Sequence, residues 1–116
     1  MARSTRSYSE DEAFFWDDHK NECVKREHSI DLRSAARVFD DPNAWIREGL
    51  YKNTDGGIEE QYRTTGIVDG RFITVVSKDE GNCEKIITAW DSSREEMKGY
   101  FKNNVKAARV SRPIRN

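Results

Sequence analysis

The chain has 116 residues, 35% apolar and 35% charged, with a formal net charge of −1, which suits a single domain whose modest core comes from a few strands and helix faces. No apolar run approaches the 18 or so residues of a spanning helix, and the opening "MARSTRSYSEDEA" has basic residues with no apolar stretch behind them, so neither a membrane anchor nor a secretory leader is expected. Cys23 and Cys83 lack metal-ligand spacing and are expected to be reduced, buried thiols, as in a cytoplasmic protein.

Residues 1–12 read as a polar, flexible tail. "AFFW" (13–16) reads as a buried strand, and Asp17 caps a helix from Asp18 to about His28. Ser29 and Ile30 turn the chain, and Asp31 caps a second helix. Its Leu32, Ala35, Ala36 and Phe39 fall on one face, and Pro42 stops it. "AWIREGLY" (44–51) is a predicted strand, followed by the loop "KNTDGGIEE". Tyr62–Val68 and Arg71–Ser77 form a hairpin through Asp69-Gly70, which suits a type I′ turn. "KDEGN" reverses the chain into a last strand, Glu84–Trp90.

The final helix starts at Ser92 or Ser93, each offering a capping box with Glu95 or Glu96. Met97, Tyr100, Phe101 and Val105 form its expected core stripe, and residues 107–116 read as a basic, flexible tail. From Lys98 onward there are six basic residues and no acidic one, leaving 14 basic against 21 acidic before it, a balance of −7. A basic end on an acidic body suggests a polyanion or an acidic protein partner, while lysines in the last turns also complement a helix dipole. The order predicts an α+β domain, 13–106, with an antiparallel meander sheet and its helices on one face. The other face stays open to solvent or ligand. On the last strand, Ile87 and Ala89 are assigned to the core, and Thr88 and Trp90 to the open face.

Several phrases, in order, resemble the BrnT family of type II toxins, small ribonucleases with a RelE-like fold that are neutralised by a BrnA antitoxin. "FFWDDHK" resembles the family's opening, at Phe14, Trp16, Asp17 and Lys20. "KREHSIDL" matches at Arg26, His28 and Ile30, and "AARVFDDP" at Ala35, Val38, Phe39, Asp41 and Pro42. "GIVDGRFITVV" resembles the hairpin, and "KIITAWDSSREEMKGY" matches at Ile86, Ile87, Thr88, Ala89, Ser93, Glu96 and Tyr100. The chain departs from the pattern at two arginine positions, which hold Gln61 and Trp90, and also at Val24, Glu27 and Ser29.

The resemblance implies a metal-independent ribonuclease that activates a ribose 2′-OH against the adjacent phosphate. Such chemistry needs a base, an acid, and cations for the charge that builds on phosphorus. Arginine suits the last role, because its planar fork bonds two phosphate oxygens. The catalytic candidates are Arg63, Arg94, His28, Glu96 and Tyr100. The RNA-binding candidates are Lys20, Arg26, Arg71, Thr88, Trp90, Lys106 and Arg109.

Several have a structural alternative. His28 suits a helix C-terminus, Glu96 a capping box, and Lys20 and Arg26 a solvated helix face. Tyr100 can pack its ring as well as present its hydroxyl. Trp90 can cover a core edge, anchor a protein partner or stack on a base. No metal or cofactor is expected; the expected partners are RNA and a BrnA-like antitoxin. The competing reading is a RelE-like scaffold that has lost cleavage and binds a protein partner, an orphan antitoxin target or a mobile-element inhibitor.

Overall fold

A computed structural model describes residues 8–11, 13–52 and 55–111, the last six of these as backbone alone, as are 8–11. β1 (Tyr8–Asp11) and β2 (Phe14–Asp17) precede α1 (Asp18–His28). Then come α2 (Leu32–Ala35), continued as a 3-10 turn through Ala36–Asp40, β3 (Trp45–Lys52), β4 (Ile58–Val68), β5 (Arg71–Asp79), β6 (Glu84–Asp91) and α3 (Arg94–Ser111). The architecture is α+β, as expected. Residues 8–11, placed in a polar tail by sequence, pair with β2 instead, and α3 carries its helical backbone through 107–111. Residues 1–7, 12 and 112–116 of the predicted tails lie outside the described residues.

The local signals act as the sequence indicates. The Asp17 carboxylate accepts from His19 and Lys20 backbone N–H at 2.9 and 3.4 Å and starts α1. Asp31 accepts from Arg33 N–H at 3.0 Å and starts α2. Asp69 (φ 51°) and Gly70 (φ 80°) both take the left-handed backbone that a type I′ turn requires. α1 ends on Ser29 with φ 56°, a conformation more often given to glycine.

The sheet has the order β1-β2-β6-β5-β4-β3. β3 to β6 form the expected antiparallel meander, but β2 runs parallel to β6, so the sheet is mixed. The crossover through α1 and the meander lays α1, α2 and the 3-10 turn on one face. There Trp16, Val24, Leu32, Val38, Val75 and Ile86 are buried at 2% exposure or less. The 3-10 turn sits close on β4, since a Cβ on Gly66 would meet the Val38 side chain and carbonyl at 3.2 Å.

Helices do not share one face. α3 packs on the opposite side, where Phe72 contacts the rings of Tyr100 and Phe101 at 5.3 and 5.7 Å. A sheet this short in helices cannot bury both apolar faces from one side, and α3 covers one end of the second. That placement leaves its predicted core stripe only partly used: Tyr100 is buried, whereas Phe101 and Val105 are 56% and 54% exposed. Tyr100 is tied down by its hydroxyl, which donates to Asp41 at 2.8 Å, and Asp41 in turn accepts from the Ile67 backbone N–H at 2.9 Å. Ile67 lies just past the first residue of β3, so Asp41 satisfies a donor that the sheet leaves unpaired.

A bulge corrects the reading of β6. Val76 pairs with Thr88 but Ser77 with Ile86, so Ile87 is the extra residue. The alternation shifts there, putting Ile86 and Ala89 in the core and Ile87 on the open face with Thr88 and Trp90. The cysteines are free, and both are half-buried rather than buried.

Candidate functional site

The open face is organised by register. Trp45, Thr65, Thr74 and Trp90 form one row across β3 to β6, and Arg47, Arg63, Val76 and Thr88 form the next. Beyond the second row lie Gln61 and Lys78. Gln61, Arg63, Val76, Lys78, Thr88 and Trp90 of this face line a groove of about 450 Å³, with Arg47 beside it as the strand partner of Arg63. α3 reaches its wall through Glu96, which accepts from the Trp90 indole N–H.

Arg63 and Arg47 face each other across β4 and β3 as directly paired residues. Arg63 stacks 4.3 Å from the Tyr51 ring and 5.6 Å from that of Trp90, and Arg47 lies 4.0 Å from the Trp45 ring. Aromatic rings thus hold both guanidiniums in place by cation–π contact. The Nε of each is buried with no hydrogen-bond partner, so any contact to a ligand falls to the terminal nitrogens. Burial pushes the Arg47 guanidinium below its usual value, with the Arg63 charge adding to this, while Glu96 and Tyr51 oppose it.

Arg47 is also held from below. Its Nη2 donates to Thr65 Oγ1 at 2.6 Å, Thr65 Oγ1 meets Thr74 Oγ1 at 2.8 Å, and Thr74 meets Ser92 Oγ at 2.9 Å. Both threonines are fully buried, so this hydroxyl chain ties Arg47 to the segment leading into α3.

Glu96 closes a reciprocal capping box with Ser93. The Ser93 N–H donates to its Oε1 at 2.7 Å, and the Glu96 N–H donates to Ser93 Oγ at 3.1 Å. The same carboxylate accepts the Trp90 indole N–H at 3.1 and 3.3 Å. Trp90 is therefore half-buried, aligned by Glu96, with one side turned to the groove. Gln61 is 7% exposed and donates to Glu59 at 3.0 Å. Gln61 and Trp90, the two departures from the expected arginines, thus lie in one groove, beside Arg63.

The other candidates sit elsewhere. His28, Lys20 and Arg26 belong to α1 on the opposite face, and Arg26 donates to Cys23 at 3.5 Å. Arg71 is a clamp: it forks onto Asp91 at 2.6 and 3.0 Å and donates to the His28 and Ser29 carbonyls at 2.8 and 3.0 Å. That grip joins the end of α1 to the end of β6 and occupies the guanidinium. Its hydrogen bond to Asp91 raises the Arg71 pKa and lowers that of Asp91. Tyr100 buries its hydroxyl against Asp41, and burial together with that bond pushes its pKa up to about 12. Arg94 is exposed in the first turn of α3. The side chains of Lys106 and Arg109 lie outside the described residues.

Arg47 escaped the sequence reading. Its signal was faint, an arginine in an alternating strand two residues after Trp45, and only the register sets it against Arg63. Among the described residues no group of three or more His, Cys, Asp or Glu side chains is arranged to hold a metal ion. None of the described helices is long and apolar enough to cross a membrane.

A small α+β domain with paired guanidiniums and aromatic rings on one sheet face has the features of a protein that handles a polyanion. A family model described as the ribonuclease toxin BrnT of type II toxin-antitoxin systems matches residues 16–96, from the buried tryptophan of β2 to the glutamate of the capping box. The chain belongs to that family, which implies an RNA substrate and an antitoxin protein partner. A search of the curated proteins finds no match to the chain.

Proposed function

We propose that the groove cleaves RNA without a metal, that Arg47 and Arg63 hold the scissile phosphate, and that translation stops as messenger RNA is cut. The observation that carries this is the pair of arginines set directly opposite each other on β3 and β4, each stacked on an aromatic ring. The ribose 2′-oxygen attacks the adjacent phosphorus as its proton passes to a Glu96 carboxylate oxygen. The bond to the 5′-oxygen breaks, and that oxygen takes a proton from water. A 2′,3′-cyclic phosphate and a 5′-hydroxyl result. The guanidiniums neutralise the charge that grows on the phosphoryl oxygens, and Trp90 and Thr88 contact the neighbouring base and sugar.

The four-stranded meander with two helices before it and one after supports a RelE-like arrangement, with 13–106 as the working unit. A BrnA-like antitoxin in the cytoplasm is the proposed partner. Incubating the protein with end-labelled messenger RNA in EDTA tests the reading. Cleavage is expected to fall on the order of 100-fold in Arg47→Ala and in Arg63→Ala, and a substrate with 2′-deoxyribose at the cut site should stay whole.

A second reading has its own support. Gln61 and Trp90 replace arginine at two places in the same groove, which suits a scaffold that binds a protein and no longer cuts. Intact RNA at high protein concentration would favour it.

A further inference from the structure

The face opposite the nuclease groove carries a second, differently charged surface at the β3 edge. There Ile46 pairs with Thr64, Glu48 with Tyr62, and Leu50 with Glu60. Ile46 and Leu50 are 57% and 73% exposed, although Thr64, the partner of Ile46, is fully buried. Beside them opens a cavity of about 420 Å³, lined by Phe14, Phe39, Ile46 and Tyr62 and bounded by Asp79 and Glu84. None of its lining residues is basic.

The charges reinforce one another. A hydrogen bond to Glu48 and that residue's charge push the Glu60 carboxyl up, and Glu60, Glu48, Asp79 and Glu84 all push Tyr62 up. Glu48 and Glu60 are diagonal neighbours across the strand pair, and like charges so placed are unfavourable until a cation arrives. β3 is also the last strand of the sheet, so one row of its N–H and C=O groups faces outward. A long, alternating edge with exposed apolar side chains is a template for an added strand.

We infer that this edge docks an extended, cationic segment of the antitoxin, with apolar side chains entering the cavity beside Ile46 and Leu50 and lysine or arginine side chains meeting Glu48 and Glu60. The inference rests on the toxin-antitoxin reading and specifies its partner's chemistry. The period-two exposure of Ile46, Glu48 and Leu50 selects a strand over a helix, because a helix repeats at 3.6 residues. Arg47 lies between Ile46 and Glu48 but points to the other face. A segment on β3 is therefore one strand-width from the nuclease groove without filling it.

The test uses a fluorescein-labelled peptide of alternating leucine and lysine, with a leucine–glutamate peptide as control, read by anisotropy against the whole chain. The lysine peptide should bind, and its affinity should fall by about ten-fold or more in Ile46→Lys/Leu50→Lys and in Glu48→Lys/Glu60→Lys. Both double variants change exposed side chains, and unchanged thermal unfolding will show that they fold. Equal binding to wild type and variants, or equal binding of the glutamate peptide, overturns the inference. So does a wild-type dimer on light scattering that Leu50→Lys splits, since the face would then serve a second copy. RNA cleavage by the same variants reports separately on the nuclease reading, because none of the changed residues lines its groove.

Discussion

Replacing Tyr100 by phenylalanine separates structure from chemistry at a residue that suits both. Its hydroxyl donates to Asp41 Oδ2 at 2.8 Å from a side chain only 4% exposed. Asp41 keeps two further donors, the Ile67 and Asn43 backbone N–H groups at 2.9 and 2.8 Å. A hydrogen bond to a charged acceptor contributes about 1.5–3 kcal/mol, and an acceptor that keeps its other donors loses the lower end of that range. Tyr100→Phe is therefore expected to cost about 1.5 kcal/mol, or about 6 °C in Tm, measured by urea and thermal unfolding with an unchanged m-value.

The pH dependence follows from the same bond. Burial pushes the Asp41 carboxyl up, but the hydrogen bonds from Asn43, Ile67 and Tyr100 together hold it below its usual value. Its contribution is then present above the unfolded carboxylate pKa and is lost as pH falls through the lower folded value. Tyr100, raised to about 12, contributes below its unfolded pKa and loses that contribution as pH rises toward 12. Tyr100→Phe should remove the alkaline loss and flatten the acid one. RNA cleavage well below Tm should stay within about three-fold of wild type, since no step of the proposed reaction uses the hydroxyl. Unchanged stability, or a cleavage loss beyond about 100-fold in a folded protein, would refute the structural assignment.

Other outcomes are equally definite. Glu96→Gln keeps an acceptor for Ser93 and Trp90, so Tm should hold while cleavage drops by about 100-fold; retained cleavage would leave Glu96 a cap alone. Gly99→Ala drives a methyl into the Trp45 ring and should cost about 3 kcal/mol in chemical denaturation, with much of it restored by a second change, Trp45→Ala. Ser29→Gly relieves a left-handed residue at the end of α1 and should raise stability by about 1 kcal/mol, seen as a higher urea midpoint.

Much of the scaffold was legible because its signals are local. Asp17 and Asp31 cap the helices they precede, Ser93 and Glu96 close the box that starts α3, and Asp69-Gly70 turns the hairpin. Each is decided by a few neighbouring backbone groups and the side chain that satisfies them, so spacing suffices. Family membership was legible for a related reason, since its phrases are strung along the chain in order, and the matched segment begins and ends on two of them.

What the tertiary structure decided depends on partners distant in sequence. The bulge at Ile87 exists only because β5 fixes the register of β6, and it turned a predicted core residue outward. The side on which α3 packs depends on which sheet face still needs cover, so the same apolar stripe buries Tyr100 and leaves Phe101 and Val105 in solvent. Arg71 became a clamp because folding brought two carbonyls and Asp91 within reach of one guanidinium. Arg47 joined the site because strand pairing set it opposite Arg63, sixteen positions away along the chain. Local chemistry writes the elements, whereas register and packing choose which side chains share a surface.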